Sequence, residues 1–198
     1  MKTQKSILLK QTIIVFAILL TLGACNNKQA DKSKTAEQPP VSESKISAPD
    51  VDIFTATFMG DLKSVQQHIA AGTNLNAKDQ YGSTPLNIAA TFGKTEVAIA
   101  LINGGADLNV RNGDGSTPLH TASFFCRTEI VKALLSKGAD VTLKNNFGST
   151  PLESVSAPFK DVKVFYEQIG KQLGPLGLKL DLNRIEKTRP EIAELLKR

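Results

Sequence analysis

Apolar residues in the middle of the chain recur with helical spacing, in short blocks separated by polar, glycine-containing segments. In one block, Val97, Leu101 and Ile102 occupy the i, i+4 and i+5 positions of a single helix face. The same face returns 33 residues later, and a shorter alanine-rich block precedes each copy. The pattern predicts pairs of short helices. The first helix of each pair has small side chains, which allow close packing against neighbouring helices.

A sequence repeat has the same period. Gly-Ser-Thr-Pro-Leu occurs at residues 82–86, 115–119 and 148–152, and Gly-Ala-Asp occurs at residues 105–107 and 138–140. Both motifs return after 33 residues and keep a constant offset from each other. A unit of this length cannot bury its apolar face alone, so the copies are predicted to stack into a solenoid.

The repeated motifs also predict where the helices begin and end. Thr84 and Thr117 suit the N-cap position, and Pro85 and Pro118 suit the first helical position, where an N–H group is not needed. Gly138 suits the left-handed position that ends the second helix of its pair. Each unit is therefore predicted to be a helix, a turn, a second helix and a loop.

These motifs resemble the ankyrin repeat, in which Asp-x-x-Gly-x-Thr-Pro-Leu-His-x-Ala-Ala precedes Glu-Ile-Val-x-x-Leu-Leu and Gly-Ala-Asp. Residues 79–111 and 112–144 carry the pattern, residues 50–78 form a divergent N-terminal cap, and residues 145–198 form a divergent last repeat. The resemblance, which covers residues 50–198, implies an all-α ankyrin-repeat solenoid with β-hairpin-like loops. It also implies protein binding, with no catalytic activity and no cofactor.

The last repeat is longer than the others, and two interpretations of it are open. Residues 190–197 match the second helix of the pattern, with Thr188 as its cap, which leaves an insert before them. Alternatively, residues 160–173 are the second helix and residues 188–198 form a capping helix. We favour the insert. The helix predicted within it has three apolar side chains on one face: Val162, Phe165 and Ile169.

The first 24 residues have the pattern of an export signal, with a basic front, a short apolar centre and small residues before a cysteine. The apolar centre is too short for a membrane-spanning helix. Leu22-Gly23-Ala24-Cys25 resembles the lipobox of bacterial lipoproteins, which implies that residues 1–24 are removed and that Cys25 is lipidated. The polar segment in residues 25–49 is predicted to be a disordered tether.

The predicted leader changes both location and charge. It implies a domain anchored by lipid to the cell membrane or the outer membrane, facing the periplasm, or the outside in a cell with one membrane. Without Lys2, Lys5 and Lys10 the formal charge falls from +5 to +2. This charge is too small to predict a nucleic-acid partner. We also expect the protein to be a monomer.

Few residues offer catalytic or metal-binding chemistry. His120 takes the histidine position of the Thr-Pro-Leu-His motif, which implies a hydrogen bond to the neighbouring loop, whereas His68 is predicted to be solvated on the cap helix. Cys126 replaces the glycine found at Gly93 one repeat earlier, and it is predicted to be a small buried hydrophobe or, alternatively, a free thiol. No nucleophile–base pair, metal-ligand set or phosphate-binding loop is recognisable.

The resemblance also implies a partner-binding surface, along the ends of the first helices and along the loops. The predicted contacts on the helices are Phe92, Phe124 and Phe125. The predicted contacts on the loops are Gln80, Tyr81, Ser83, Asp114, Ser116, Asn146 and Phe147. Tyr81 and Phe124 are the principal predicted anchors, and packing between repeats is the alternative role of Phe92 and Phe125.

The function that these observations predict is a membrane-anchored module that binds an envelope protein, whose identity the sequence does not specify. The alternative is a structural envelope lipoprotein that contacts cell wall or lipid and has no dedicated protein partner.

Overall fold

In the computed structural model, which describes residues 47–197, three helix pairs are followed by a divergent end. The pairs are α1 (Ile53–Met59) with α2 (Leu62–Ala70), α3 (Pro85–Phe92) with α4 (Thr95–Asn103), and α5 (Pro118–Phe124) with α6 (Thr128–Ser136). The end comprises α7 (Glu153–Ser156), α8 (Phe159–Leu173), a 3₁₀ turn at Gly174–Leu176, and α9 (Leu182–Leu196). No β-strand occurs between residues 47 and 197.

The predicted signal peptide, Cys25 and residues 26–46 of the predicted tether lie outside the described residues. Among the helices that are described, none combines the length and the hydropathy that a membrane-spanning helix requires.

The helix starts in the two regular repeats are confirmed. The hydroxyl of Thr84 accepts a hydrogen bond from the amide of Asn87 at 3.3 Å, and α3 begins with Pro85 directly after it. Thr117 caps α5 in the same way, 33 residues later. The left-handed Gly93, with φ of 66°, ends α3 because a glycine adopts this conformation without a Cβ clash.

The helices lie in two layers. In one layer α1, α3, α5 and α7 pack in chain order, and in the other α2, α4, α6 and α9 do so. Leu86 and Leu119 of the first layer and Leu101 and Leu134 of the second are fully buried. Stacking thus buries the apolar faces that a single repeat would leave in water.

Hydrogen bonds join the first helix of each of the two regular repeats to the loop of the next. Asn87 Nδ2 donates to the Ser116 carbonyl at 3.3 Å, and His120 Nε2 donates to the Ser149 carbonyl at 2.9 Å. The predicted role of His120 is therefore confirmed. Glu153 takes the same position in the last repeat, where its carboxylate accepts from the amide of Thr150 at 2.7 Å.

A second set of hydrogen bonds joins the repeats at the opposite end of the first helices. Lys94, Arg127 and Arg184 each donate to a carbonyl of the preceding repeat. The acceptors are the carbonyl oxygens of Met59, Thr91 and Cys126, at 3.5, 3.0 and 3.0 Å. Cations favour this position because the last carbonyls of a helix have no partner within it.

The end of the stack differs from the prediction in its helix boundary. α9 packs against α6 and α7, so it takes the place of a second helix, whereas α8 contacts α9 and the 3₁₀ turn. The prediction that this helix begins near residue 190, with Thr188 as its cap, is wrong. Asp181 is the cap, and its carboxylate accepts from the amide of Arg184 at 3.0 Å. The earlier start lets Ile185 join the buried face of α9.

The buried face of α8 also differs from the prediction. Val162, Phe165 and Ile169 are predicted to share one apolar face, but Phe165 is 55% exposed, and the neighbouring Tyr166 is fully buried. The Tyr166 hydroxyl donates to the Phe124 carbonyl at 2.7 Å and accepts from Arg189 Nη1 at 2.8 Å. Burial of a tyrosine is favourable here because its polar tip has both partners.

The predicted solvation of His68 is wrong, since this residue is only 4% exposed. The segment before α1 lies against α2, and its Val51 carbonyl accepts from His68 Nε2 at 2.8 Å. The other ring nitrogen, Nδ1, accepts from the Thr73 hydroxyl at 3.0 Å. Helical spacing within α2 does not reveal that the segment before α1 covers this histidine, so the sequence alone predicted an exposed side chain.

Candidate partner-binding surface

Three tight turns, one in each inter-repeat loop, form the most regular polar feature of the structure. The Asp79 carboxylate accepts from the amides of Tyr81 and Ser83, both at 2.8 Å. Asn112 and Asn145 form equivalent turns, with distances between 2.9 and 3.1 Å. Such turns hold the residue at their third position in one conformation. We call the three residues at this position the tip row: Tyr81, Asp114 and Phe147.

The tip row exposes two large aromatic side chains. Tyr81 is 73% exposed and Phe147 is 76% exposed, with the exposed Asp114 one repeat away from each. Aromatic side chains are enriched at protein interfaces, so these two exposed rings are candidate contacts for a partner.

The turns also contact one another through the main chain. The Asn146 amide donates to the Asp114 carbonyl at 3.0 Å, and Asn146 Nδ2 donates to the Gly113 carbonyl at 3.2 Å. A Cβ placed on Gly113 would lie 2.7 Å from the Tyr81 carbonyl oxygen, so glycine permits this close approach. Because packed helices lie roughly 10 Å apart, Tyr81 and Phe147 are separated by roughly 20 Å.

The other predicted loop residues have two different positions. Gln80 and Asn146 are exposed beside the tip row. Ser83 and Ser116 are half-buried at the base of their turns, where their carbonyls accept from Asp79 and Asn112 at 3.0 and 2.9 Å. The serines therefore build the turns that display the tips.

The three phenylalanines predicted on the helices pack within the protein. Phe125 is 6% exposed. Phe92 is half-buried with its edge against Phe58, at a ring separation of 4.8 Å, and Phe124 stacks on Tyr166 at 4.5 Å. Phe124 is thus not a free anchor in this structure, because the α8 insert covers its ring.

Sequence reasoning missed the buried residue that holds the insert in place. Arg189 is buried, and it donates to the Tyr166 hydroxyl at 2.8 Å and to the Ala157 carbonyl at 2.9 Å. A basic residue in a charged segment has no local signal that distinguishes a buried arginine from a solvated one. The roles of Lys94 and Arg127, in contrast, carried a signal, since both cations precede a second helix at an interval of 33 residues.

Cys126 is buried and takes a conformation that favours glycine. It is the non-glycine residue with positive φ in the described range, at 51°, and Gly93 is its counterpart one repeat earlier, at 66°. Burial raises the pKa of the Cys126 thiol to about 11, so the thiol stays protonated at neutral pH. Between residues 47 and 197, no three His, Cys, Asp or Glu side chains form a group that could hold a metal ion.

Residues 53–145 match the family model for ankyrin repeats, in three copies. This range runs from the start of α1 to the loop after α6, so it covers the three helix pairs. Residues 53–145 are ankyrin repeats, and the stacked pairs form an ankyrin-repeat solenoid. No curated protein matches the chain. Ankyrin repeats imply that the chain binds a protein partner, and domains of this class are generally not catalytic.

Proposed function

We propose that this protein is a lipid-anchored ankyrin-repeat module that binds one protein of the bacterial envelope through the tip row. The observation that carries the proposal is the exposure of Tyr81 and Phe147, at 73% and 76%, on turns that hydrogen bonds hold in place. Aromatic anchors on a rigid support bind well because little conformational entropy is lost on association.

The geometry of the tip row indicates what the partner must offer. Tyr81 and Phe147 require two apolar pockets, separated by roughly 20 Å if the helices have their usual packing distance. Asp114 lies between them and requires a cation or a hydrogen-bond donor. Gln80 and Asn146, exposed beside the row, suit the polar rim of such an interface.

The lipid anchor is proposed on Cys25, because Leu22-Gly23-Ala24-Cys25 ends a short apolar run behind a basic front. A Cys25→Ser variant is expected to stay unprocessed at the lipoprotein cleavage site and to incorporate no labelled palmitate. Palmitate incorporation by the Ser variant at the wild-type level would contradict the anchor, and it would leave the tip-row proposal unaffected.

The binding surface is tested by photo-crosslinking in cells. A photoreactive phenylalanine analogue replaces Tyr81 in one variant and Phe147 in another, and Phe165, an exposed aromatic residue on α8, serves as the matched control position. We expect the same polypeptide to be crosslinked from positions 81 and 147 and to be absent from the control. The two tips lie on one row, so one partner must reach both.

Crosslinking of one polypeptide from all three positions, or from position 165 alone, would contradict the proposed surface. Mass spectrometry of the crosslinked band identifies the partner, and the purified partner then allows affinities to be measured.

A further inference from the structure

A cavity of about 450 Å³ lies where α9 begins beside α6. It is at the opposite end of the first helices from the tip row, because the tips precede α3 and α5 whereas the cavity follows α5. Its charged lining residues are Arg127, Glu129, Lys179, Asp181 and Arg184. Thr95 and Thr128 add hydroxyl groups to the same wall.

The three cations of the cavity have no acidic partner in the described residues. None of the carboxylates between residues 47 and 197 forms an ion pair with Arg127, Lys179 or Arg184. The two guanidinium groups donate instead to neutral carbonyls, Arg127 to that of Thr91 and Arg184 to that of Cys126, both at 3.0 Å. Burial lowers the pKa of Arg127, and the nearby charge of Arg184 lowers it further.

The two acids of the cavity are engaged elsewhere. Glu129 forms an ion pair with Lys132 at 2.9 Å, and the Asp181 carboxylate caps α9 by accepting from the Arg184 amide at 3.0 Å. Since three cations face two carboxylates, the lining keeps one net positive charge. Like charges near one wall repel each other, and an anion between them would relieve that repulsion.

The N-terminus of α6 adds a positive electrostatic potential to the same wall of the cavity. No side chain caps the N-terminus of α6, and Thr128 and Glu129 of its first turn line the cavity. The free N–H groups of a first turn carry partial positive charge and bind anions. Cations and helix terminus thus act on one small volume.

We propose that this cavity binds a phosphate group, either as free phosphate or as a small phosphate monoester. A planar guanidinium matches two phosphate oxygens at once, and three cations suit a dianion better than a single carboxylate. The volume of about 450 Å³ lies in the range of small-molecule sites, so it also admits the alcohol part of an ester. A ligand here leaves the tip row free.

Calorimetric titration of the full chain with inorganic phosphate, and separately with glycerol 3-phosphate, tests the site at constant ionic strength. Lys179 is exposed and forms no ion pair in the described range, so Lys179→Gln is expected to fold normally and to bind about fivefold more weakly. Glu129→Gln removes a negative charge from the wall and is expected to bind more tightly. The matched control is Arg111→Gln, which changes an exposed arginine outside the cavity and should leave binding unchanged.

Arg184→Gln is expected to abolish binding, and its melting temperature shows whether the fold survives the loss of the bond to Cys126. Equal affinity for the two probes assigns the site to free phosphate, and tighter binding of glycerol 3-phosphate assigns it to phosphate esters. No binding of either probe by the wild type would overturn the proposal. Identical affinity in Lys179→Gln, Glu129→Gln and Arg111→Gln would overturn it as well.

Discussion

At the scale of single residues, Cys126 combines a left-handed backbone conformation with a buried side chain. Its φ of 51° favours glycine, yet its side chain is fully buried, with Sγ 3.7 Å from the Ile185 carbonyl. Replacing the usual glycine adds a buried group at the contact between the third repeat and α9. The thiol therefore belongs to the packing of the stack, which makes its reactivity a probe of folding.

We expect the Cys126 thiol to remain unlabelled by a thiol reagent in the native protein at about pH 8. With its pKa raised to about 11, roughly one thiol in a thousand is ionised at that pH, and the side chain is also shielded from the reagent. Peptide mass spectrometry after alkylation, with and without urea, checks this. Rapid alkylation without urea would show that the α9 contact is open.

His120 gives the stack a dependence on pH. Burial lowers the pKa of His120 from its usual 6.5, and the charge of Arg111 lowers it further. Above pH 6.5 the imidazole is neutral in both the folded and the unfolded state. Below pH 6.5 the unfolded chain binds a proton that the folded chain does not. The free energy of unfolding therefore decreases as the pH is lowered, by at most about 1.4 kcal/mol per pH unit.

The matched variant is His120→Asn, because Asn87 makes the equivalent bond to the next loop one repeat earlier. Denaturant unfolding at about pH 7.5 and about pH 5.5 is expected to show a loss of stability in the wild type that this variant lacks. The carboxylates whose pKa is lowered titrate below this window, starting from usual values of 3.8 and 4.5. An equal loss in both proteins would mean that His120 is not the group responsible.

At the scale of elements, α9 closes the stack. Ile185, Ile192 and Leu196 are buried, and the helix packs on α6 and α7. A solenoid end without such a cover would leave the apolar face of α6 in water. Glu153 fits the same account, because its carboxylate cannot donate to a further loop as Asn87 and His120 do.

Ile192→Ala is expected to lower the free energy of unfolding of the whole domain by about 2–5 kcal/mol, since it leaves a cavity beneath α9. The control is the neighbouring Glu191→Ala, which changes an exposed side chain and should cost less than about 0.5 kcal/mol. Urea unfolding followed by circular dichroism measures both. Equal, small effects would show that α9 contributes little and that the three repeats are stable without it.

At the scale of the whole molecule, the regular part of the fold could be predicted from the sequence. The 33-residue period defines the repeats. Within each regular repeat, the Thr-Pro caps and the glycine turns depend only on neighbouring residues, so the sequence predicts them. The loop positions of Tyr81, Asp114 and Phe147 and the hydrogen bond of His120 were implied by the resemblance to ankyrin repeats, which the same period carries.

The divergent end could not be predicted in the same way, because long-range contacts determine it. Tyr166 is preferred to Phe165 as the buried residue of α8 only because Phe124 and Arg189 supply partners for its hydroxyl. His68 is buried only because the chain before α1 returns over α2. Helical spacing carries no information about either contact.

The central claim is that Tyr81 and Phe147 bind one protein together, and affinity for the crosslinked partner tests it most directly. Isothermal titration would compare Tyr81→Ala, Phe147→Ala, the double variant and the control Phe165→Ala, each with its melting temperature. We expect each tip variant to lose about tenfold or more in affinity, with the melting temperature unchanged and the control equal to wild type. Wild-type affinity in the double variant would contradict the account.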